Sequence, residues 1–379
     1  MQNKFVEDFF GLLRAGLWEK EVELRNYGAT DYSEIMRLAT EQSVVGLVAA
    51  GIEKVQGLAS PTIDATRQSS SELGSALAAP KVHDSKFKVP QEWALQFIGQ
   101  TLQIEQQNKA MNAFIAGLIE KLRKDDIYAL LVKGQGVAQC YEKPLWRSSG
   151  DVDLFLSADN YEKAKAVLTP IASSVEEEYK KAKHLGMTID GWIVELHGTL
   201  QCNLSRRVKR GIDEIENEII YGGQVRSWQN GRVQVFLPSA SNDAIYIFAH
   251  FLNHFYKEGV GLRQICDWCR LMWTYRDSLN YGLIEQRIKR MGLVSEWKAF
   301  YNLASRYLGM PDLDSSFMFQ DSRFDKKADW IMEAVLKNGG VEKNLRKAFC
   351  LFPASTLRFL PGLVFNVNWL KMKERLVRG

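Results

Sequence analysis

The stretch "RSSGDVDLFL" (residues 147–156) sets two aspartates one residue apart, in front of an apolar run. Side chains on a β-strand alternate between its two faces, so Asp151 and Asp153 point the same way. Val152 and Leu154 point the other way, toward a core. Two adjacent carboxylates repel each other, and burying them without a positive partner costs several kcal/mol. The stretch therefore predicts a strand whose acidic end holds a cation, for which a divalent metal is the usual choice.

A third acid stands in a second strand-like stretch, "WIVELHG" (residues 192–198). Alternation puts Glu195 and His197 on one face of this otherwise apolar strand. If the two strands are neighbours, the three carboxylates would hold two magnesium ions about 3.5–4 Å apart. Asp151 and Asp153 would bridge both ions, while Glu195 would bind one ion and is a candidate base for a hydroxyl proton. Plainer interpretations stay open: an edge-strand salt bridge for Glu195, and a structural role rather than a substrate contact for His197.

A candidate phosphate site precedes the aspartates in "LLVKGQG" (residues 130–136). A strand that runs into Gly134 and then a helix offers unpaired backbone N–H groups and a positive helix end, which suit phosphate. Lys133 adds a point charge, and the guanidinium of Arg147 can fork onto phosphate oxygens. Neutralising Asp151 is an equally good role for Arg147, and a solvated position is an equally good one for Lys133. The candidate nucleotide- and phosphate-binding residues are Lys133, Gly134, Arg147, Ser148 and Ser149.

These three stretches together resemble the bacterial nucleotidyltransferase family related to the polymerase-beta superfold. Its members read Leu-Lys-Gly, then Arg-x-x-x-Asp-hydrophobic-Asp, then hydrophobic-Glu-hydrophobic-His. The resemblance implies transfer of an NMP from an NTP with Mg²⁺ or Mn²⁺ as cofactor, and it matches Asp151, Asp153 and Glu195 to the metal and catalytic triad. The usual phosphate-holding Gly-Ser of the wider superfamily is replaced here by Lys133-Gly134, which leaves open how the triphosphate is held.

The resemblance extends to "HFLNHFYKEGVGLRQICDW" (residues 250–268), which is similar to the family's His-containing helix followed by Leu-Arg and an Asp. His250 and His254 share a helix face at i, i+4. With Arg263 and Asp267 they are candidate contacts to the base, the sugar or the acceptor. A polar network that locks the helical region to the sheet is the plainer and favoured interpretation.

The periodicity predicts an α+β fold in which a sheet is flanked by helices, and the resemblance implies that this sheet is a polymerase-beta-like nucleotidyltransferase sheet. Its predicted parts are an N-terminal helical region (1–125), an α/β core (126–238) and a C-terminal helical domain (239–379). A long amphipathic helix is expected over 91–124, after an irregular Ser- and Pro-rich connection at 57–90. Turns are expected at Leu185-Gly186 and Asp190-Gly191.

Bulk composition narrows the class of protein. A net charge of +4 on 49 basic and 45 acidic residues gives no support for nucleic-acid binding. Five cysteines suit a reducing compartment, and neither a signal peptide nor a membrane-spanning stretch is recognisable, so a cytoplasmic protein without integral membrane contact is predicted.

"CDWC" (266–269) has no second pair and is interpreted as helix core. The apolar and basic C-terminal segment (348–379) is interpreted as helix packed on the body, with peripheral membrane contact as the alternative.

The chain is therefore predicted to be an enzyme that moves AMP or another NMP from an NTP to a hydroxyl or amine and releases pyrophosphate. The alternative is a non-catalytic or regulatory protein that binds a nucleotide or a partner on the same scaffold. The acceptor is unknown: a small molecule, a protein or, least favoured, RNA. Replacing Asp151 or Asp153 by Asn is expected to abolish transfer and, because it relieves repulsion, to leave the fold intact.

Overall fold

The structure is a computed structural model that describes residues 4–21, 30–55, 89–200, 202, 204–313, 321–337, 341 and 345–360. Most of the predicted connection at 57–90 and the end of the C-terminal segment, from residue 361 onward, lie outside these residues. The division into three domains stays a prediction.

The described residues form one seven-stranded mixed sheet. In chain order its strands are β1 (Ala129–Val132), β2 (Asp151–Leu156), β3 (Ser174–Val175), β4 (His184–Ile189), β5 (Trp192–His197), β6 (Val225–Asn230) and β7 (Val233–Pro238). Their spatial order is β3-β4-β5-β2-β1-β7-β6, so β2 lies in the middle. It runs antiparallel to β1 and parallel to β5. The strand with the two aspartates is therefore protected on both edges.

Fourteen described helices surround the sheet, and the predicted α+β class is confirmed. The helices are α1 (Lys4–Trp18), α2 (Tyr32–Glu41), α3 (Val45–Glu53), α4 (Gln91–Lys124), α5 (Gly134–Ala138), α6 (Ala158–Leu168), α7 (Arg206–Ile220), α8 (Ala240–Lys257), α9 (Leu262–Thr274), α10 (Tyr281–Met291), α11 (Val294–Leu308), α12 (Asp325–Leu336), α13 (Leu345–Leu351) and α14 (Pro353–Phe359). Helix α4 has the predicted bounds. In the described part of the chain, none of them combines the length and the apolar character that crossing a bilayer requires.

Strand β2 has one hydrophobic cluster on each face. Val152 and Leu154 belong to the cluster built with α4 and α6. Phe155, on the face of the aspartates, belongs to the larger cluster that includes residues of α8 and α9. Because both faces are covered, only the start of the strand is left for polar chemistry, and this is where Asp151 and Asp153 lie.

Two features of the sheet differ from the sequence-based expectation. The turn predicted at Leu185-Gly186 is wrong, because both residues lie inside β4, where Gly186 pairs with Glu195. A Cβ at Gly186 would come within 2.4 Å of the Glu176 carboxylate, so this glycine leaves room for a neighbouring side chain and does not make a turn. Strand β6 was not anticipated, because its residues are exposed or half-buried and carry no apolar alternation.

All five cysteines are free. Cys266 and Cys269 lie on α9 and are fully buried, which confirms that "CDWC" is helix core.

Glu216 on α7 anchors the segment that follows β5, because its carboxylate accepts a hydrogen bond from the backbone N–H of Leu200. Burial raises the pKa of Glu216 to about 7. The folded state binds this proton more tightly than the unfolded chain does. The resulting contribution of Glu216 to the free energy of unfolding is fully present below the ordinary pKa of 4.5, and it is lost as the pH rises through about 7.

We therefore expect the free energy of unfolding to fall by about 1 to 3 kcal/mol between pH 5 and pH 8 in the wild type. Glu216→Gln keeps an acceptor for Leu200 and removes the titration, so its stability should be flatter over this range. Urea unfolding of both proteins at four pH values measures the difference. Parallel curves would assign the pH dependence to other groups.

Candidate metal and nucleotide site

Three carboxylates meet where β2 and β5 lie side by side. In the parallel register Asp153 is opposite Glu195, and Asp151 lies two residues before Asp153 on the same face. One carboxylate oxygen from each of the three lies within 4.8 Å of the other two. The predicted convergence of these residues is confirmed, whereas their catalytic role stays a prediction.

Asp153 is the buried centre of this cluster, with only 2% of its surface exposed. Its Oδ1 accepts two hydrogen bonds of 2.7 Å, one from Lys133 Nζ and one from His197 Nε2. Burial alone would raise the pKa of Asp153, but Lys133 and His197 outweigh it and hold this pKa below the usual value. Asp153 is therefore ionised, and it neutralises the half-buried Lys133.

Lys133 reaches Asp153 from an uncommon backbone conformation. Its φ is +58°, in the left-handed region that a side chain with a Cβ rarely adopts, and Gly134 follows at +38°. Such strain persists where surrounding contacts enforce it, and it is common at functional sites. Lys133 is therefore an ion-pair partner and not the solvated residue of the plainer interpretation.

Asp151 differs from Asp153 because it makes no ion pair within the described chain. Burial, followed by repulsion from Asp153, raises the pKa of Asp151 above its usual value. Glu195 has the opposite environment: hydrogen bonds from His184 and His197 lower its pKa far below the usual value. The cluster thus keeps an uncompensated negative charge at Asp151, which is a position where a cation would be stabilised.

His184 was missed at the level of sequence. It begins β4 and is paired with His197 on β5, and its Nε2 lies 3.3 Å from Glu195 Oε2. The stretch "KKAKHLG" gives no periodic or motif signal for it. Only the antiparallel register of β4 and β5 brings it to the carboxylates.

The contacts of Arg147 differ from the two predicted for it, which were with phosphate and with Asp151. Its Nε and Nη2 donate to the two carboxylate oxygens of Asp267 at 2.8 and 2.7 Å, and both side chains are buried. Tyr141 donates to the same Asp267, and Arg147 also donates to Ser149 Oγ. Arg147 therefore neutralises Asp267, not Asp151, and the favoured interpretation of Asp267 as part of a network between helix and sheet fits this geometry.

The helix after Gly134 is short. Helix α5 has only five residues, so it has little macrodipole to offer a phosphate. Ser149 Oγ is already bonded by Arg147 and by Gln135 Nε2, and the Ser148 carbonyl accepts from Arg263 Nη1 at 3.0 Å. These contacts leave the predicted phosphate-binding set with fewer free donors than the sequence suggested.

A cavity of about 200 Å³ separates the carboxylates from α8 and α9. On its helical side His254 Nε2 lies 3.2 Å from His250 Nε2, and His254 Nδ1 donates to Glu258 at 2.9 Å. Burial lowers the pKa of His250 well below its usual value, so this imidazole is neutral. Arg263 also lines the cavity and makes no ion pair among the described residues. The predicted site residues on its wall are Lys133, Gly134, Arg147, Asp151, Asp153, His250, His254, Arg263 and Asp267.

The sheet, the strand register and the three converging acids define an α+β protein of the nucleotidyltransferase class. Residues 28–309 match the model of a family described as uncharacterised nucleotidyltransferase. This match covers more than half of the chain, and the protein belongs to that family. Neither the search of curated proteins nor that of solved structures gave a match.

The contacts of Asp153 contradict the expectation that either aspartate can be replaced without cost. Asp153→Asn would leave the Lys133 ammonium and the His197 imidazole without their buried anion, and we expect a loss of about 3 to 5 kcal/mol in the free energy of unfolding. At Asp151, burial and repulsion from Asp153 outweigh the attraction of Lys133 and Arg263, so Asp151→Asn should be neutral or slightly stabilising.

Chemical denaturation of the wild type and both variants, without added metal, measures the difference in free energy of unfolding between the two Asp→Asn variants. Equal stability of the two variants would show that the Lys133–Asp153 pair contributes little to the fold.

Proposed function

We propose that this protein transfers an NMP from an NTP to a hydroxyl or amine acceptor and releases pyrophosphate. The observation that carries the proposal is the meeting of Asp151, Asp153 and Glu195 beside a cavity that Lys133 and Arg263 also line, in a chain of a nucleotidyltransferase family. Family membership supports nucleotidyl transfer as the general activity; the base, the acceptor and the residue roles belong to the proposal.

The donors fit Mg²⁺ or Mn²⁺. All three candidate ligands are carboxylate oxygens, which these hard cations prefer. Burial and then repulsion from Asp153 raise the pKa of Asp151, and a bound cation would offset both. When bound, the metal would supply charge neutralisation to the phosphates and would lower the pKa of an attacking hydroxyl.

Glu195 suits a ligand better than a base. Its low pKa, caused by His184 and His197, keeps it ionised and makes it a weak proton acceptor near neutral pH. We therefore assign it to metal binding and leave the removal of the acceptor proton to another group.

Lys133 and Arg263 are the cations we assign to the triphosphate. Lys133 lines the cavity from the sheet side and Arg263 from the helical side, where its one hydrogen bond, to the Ser148 carbonyl, holds the guanidinium in place. Burial lowers the pKa of Arg263, so an anion in the cavity would gain from pairing with it. This assignment supplies the phosphate contacts that the missing Gly-Ser would otherwise make.

The first test is Asp151→Asn with Asp159→Asn, an exposed aspartate on α6, as the matched control. Purified protein is incubated with each labelled NTP, Mg²⁺ or Mn²⁺ and a cell extract, and the labelled product is identified by mass spectrometry. We expect at least about a thousandfold loss of transfer in Asp151→Asn, a barrier increase of about 4 kcal/mol, and none in the control.

Full transfer by Asp151→Asn would reject the metal assignment. Calorimetry that detects metal–NTP binding without pyrophosphate release in any acceptor pool would instead favour the non-catalytic binding protein.

The second test separates phosphate binding from binding of the nucleoside. Arg263→Gln should weaken binding of a metal–NTP by about 1.5 to 3 kcal/mol, or roughly ten- to a hundredfold, because a charged hydrogen bond is lost. Binding of the corresponding NMP should change much less. Arg276→Gln is the control, because Arg276 is exposed and pairs with Asp277 outside the cavity. Equal losses for the NTP and the NMP would move Arg263 from the triphosphate to the nucleoside.

A further inference from the structure

We propose that His184, Glu195 and His197 form a second metal site, which takes a transition-metal cation of the Zn²⁺ class and shares Glu195 with the magnesium site. His184 is not among the ligands assigned to the magnesium site, although it contacts Glu195, the residue that both sites share.

The strand pairing creates the site. His184 and His197 are directly opposite each other in the antiparallel pairing of β4 and β5, and their ring centroids are 4.9 Å apart. Glu195 lies two residues before His197 and so points from the same face. Three side chains on two adjacent strands hold the ligand atoms with little freedom to separate.

The spacing of the donor atoms suits a tetrahedral ion. Bonds of about 2.0–2.2 Å at tetrahedral angles put neighbouring ligand atoms about 3.3–3.5 Å apart. Glu195 Oε2 lies 3.3 Å from His184 Nε2 and 3.4 Å from His197 Nε2, and all three atoms are within 4.8 Å of one another. Two edges of a coordination tetrahedron thus have the required length, and the ligand nitrogens of the two histidines lie within 4.8 Å of each other.

The donor types select the cation. Two imidazole nitrogens and one carboxylate favour Zn²⁺ and its neighbours in the first transition row over Mg²⁺, which prefers oxygen alone. Three protein ligands leave one position open, which a water would fill. The His184 side chain is 33% exposed, and so offers a path from solvent to a site whose other histidine is buried.

Sharing of Glu195 couples the two sites. A Zn²⁺ ion held by the histidines draws Glu195 away from Asp151 and Asp153, so Zn²⁺ should inhibit magnesium-dependent transfer. This consequence rests on the proposed function, whereas the binding of Zn²⁺ does not.

The test is direct titration of the full metal-free chain with Zn²⁺ by calorimetry and with Co²⁺ by visible absorption, which is intense for tetrahedral nitrogen- and oxygen-ligated cobalt. We expect one equivalent to bind the wild type. His184→Gln should weaken Zn²⁺ binding at least tenfold and abolish the cobalt spectrum. His254→Gln is the matched control, because His250 and His254 are the other close imidazole pair of the described chain.

Unchanged Zn²⁺ affinity in His184→Gln, or loss of the cobalt spectrum in His254→Gln instead, would overturn the site. Equal thermal unfolding of the metal-free proteins verifies that His184→Gln folds. If Zn²⁺ binds as expected but no labelled NTP is consumed by the wild type, the metal site stands and nucleotidyl transfer fails. If His184→Gln loses Zn²⁺ binding yet shows the same Zn²⁺ inhibition as the wild type, inhibition arises elsewhere.

Discussion

The pairing of Asp153 with Lys133 is the constraint on which the rest of the site depends. A carboxylate in the middle strand of a sheet, with 2% of its surface exposed, is stable there only if cations surround it. Lys133 provides the positive charge, from a left-handed backbone conformation, and His197 adds a second hydrogen bond. The same contacts fix the ends of β1, β2 and β5 relative to one another, so the acids are positioned before any ligand arrives.

Lys133 and His197 both pair with Asp153, and the two remaining acids have different surroundings from Asp153 and from each other. Glu195 is held ionised by histidines, whereas Asp151 has burial and like charge against it. Three acidic residues that look equivalent in sequence thus differ in how much a bound cation would stabilise each of them. This difference explains why two aspartates on one strand are expected to respond oppositely to the same substitution.

Alternation and local motifs carried much of the prediction. The strand at 151–156, the long helix at 91–124 and the facing of the acids all follow from side-chain period, which is a local property. What sequence could not provide was pairing register and long-range partners. His184 meets Glu195 only through the β4–β5 pairing, and Arg147 meets Asp267 across 120 residues. The incorrect prediction of a turn at Gly186 has a similar cause. Glycine is needed there because the Glu176 side chain on the neighbouring segment occupies the space of a Cβ, and not because the local chain turns.

The bidentate contact between Arg147 and Asp267 joins the segment entering β2 to the middle of α9. Arg263 lies one helical turn before Asp267 on α9, so it is rigidly carried by that contact, and it bonds the Ser148 carbonyl of the same segment. The position of the Arg263 guanidinium relative to the start of β2 is consequently set by the buried Arg147–Asp267 pair and by the hydrogen bond to Ser148. A ligand that entered the cavity would meet a positive group already held in place by the protein.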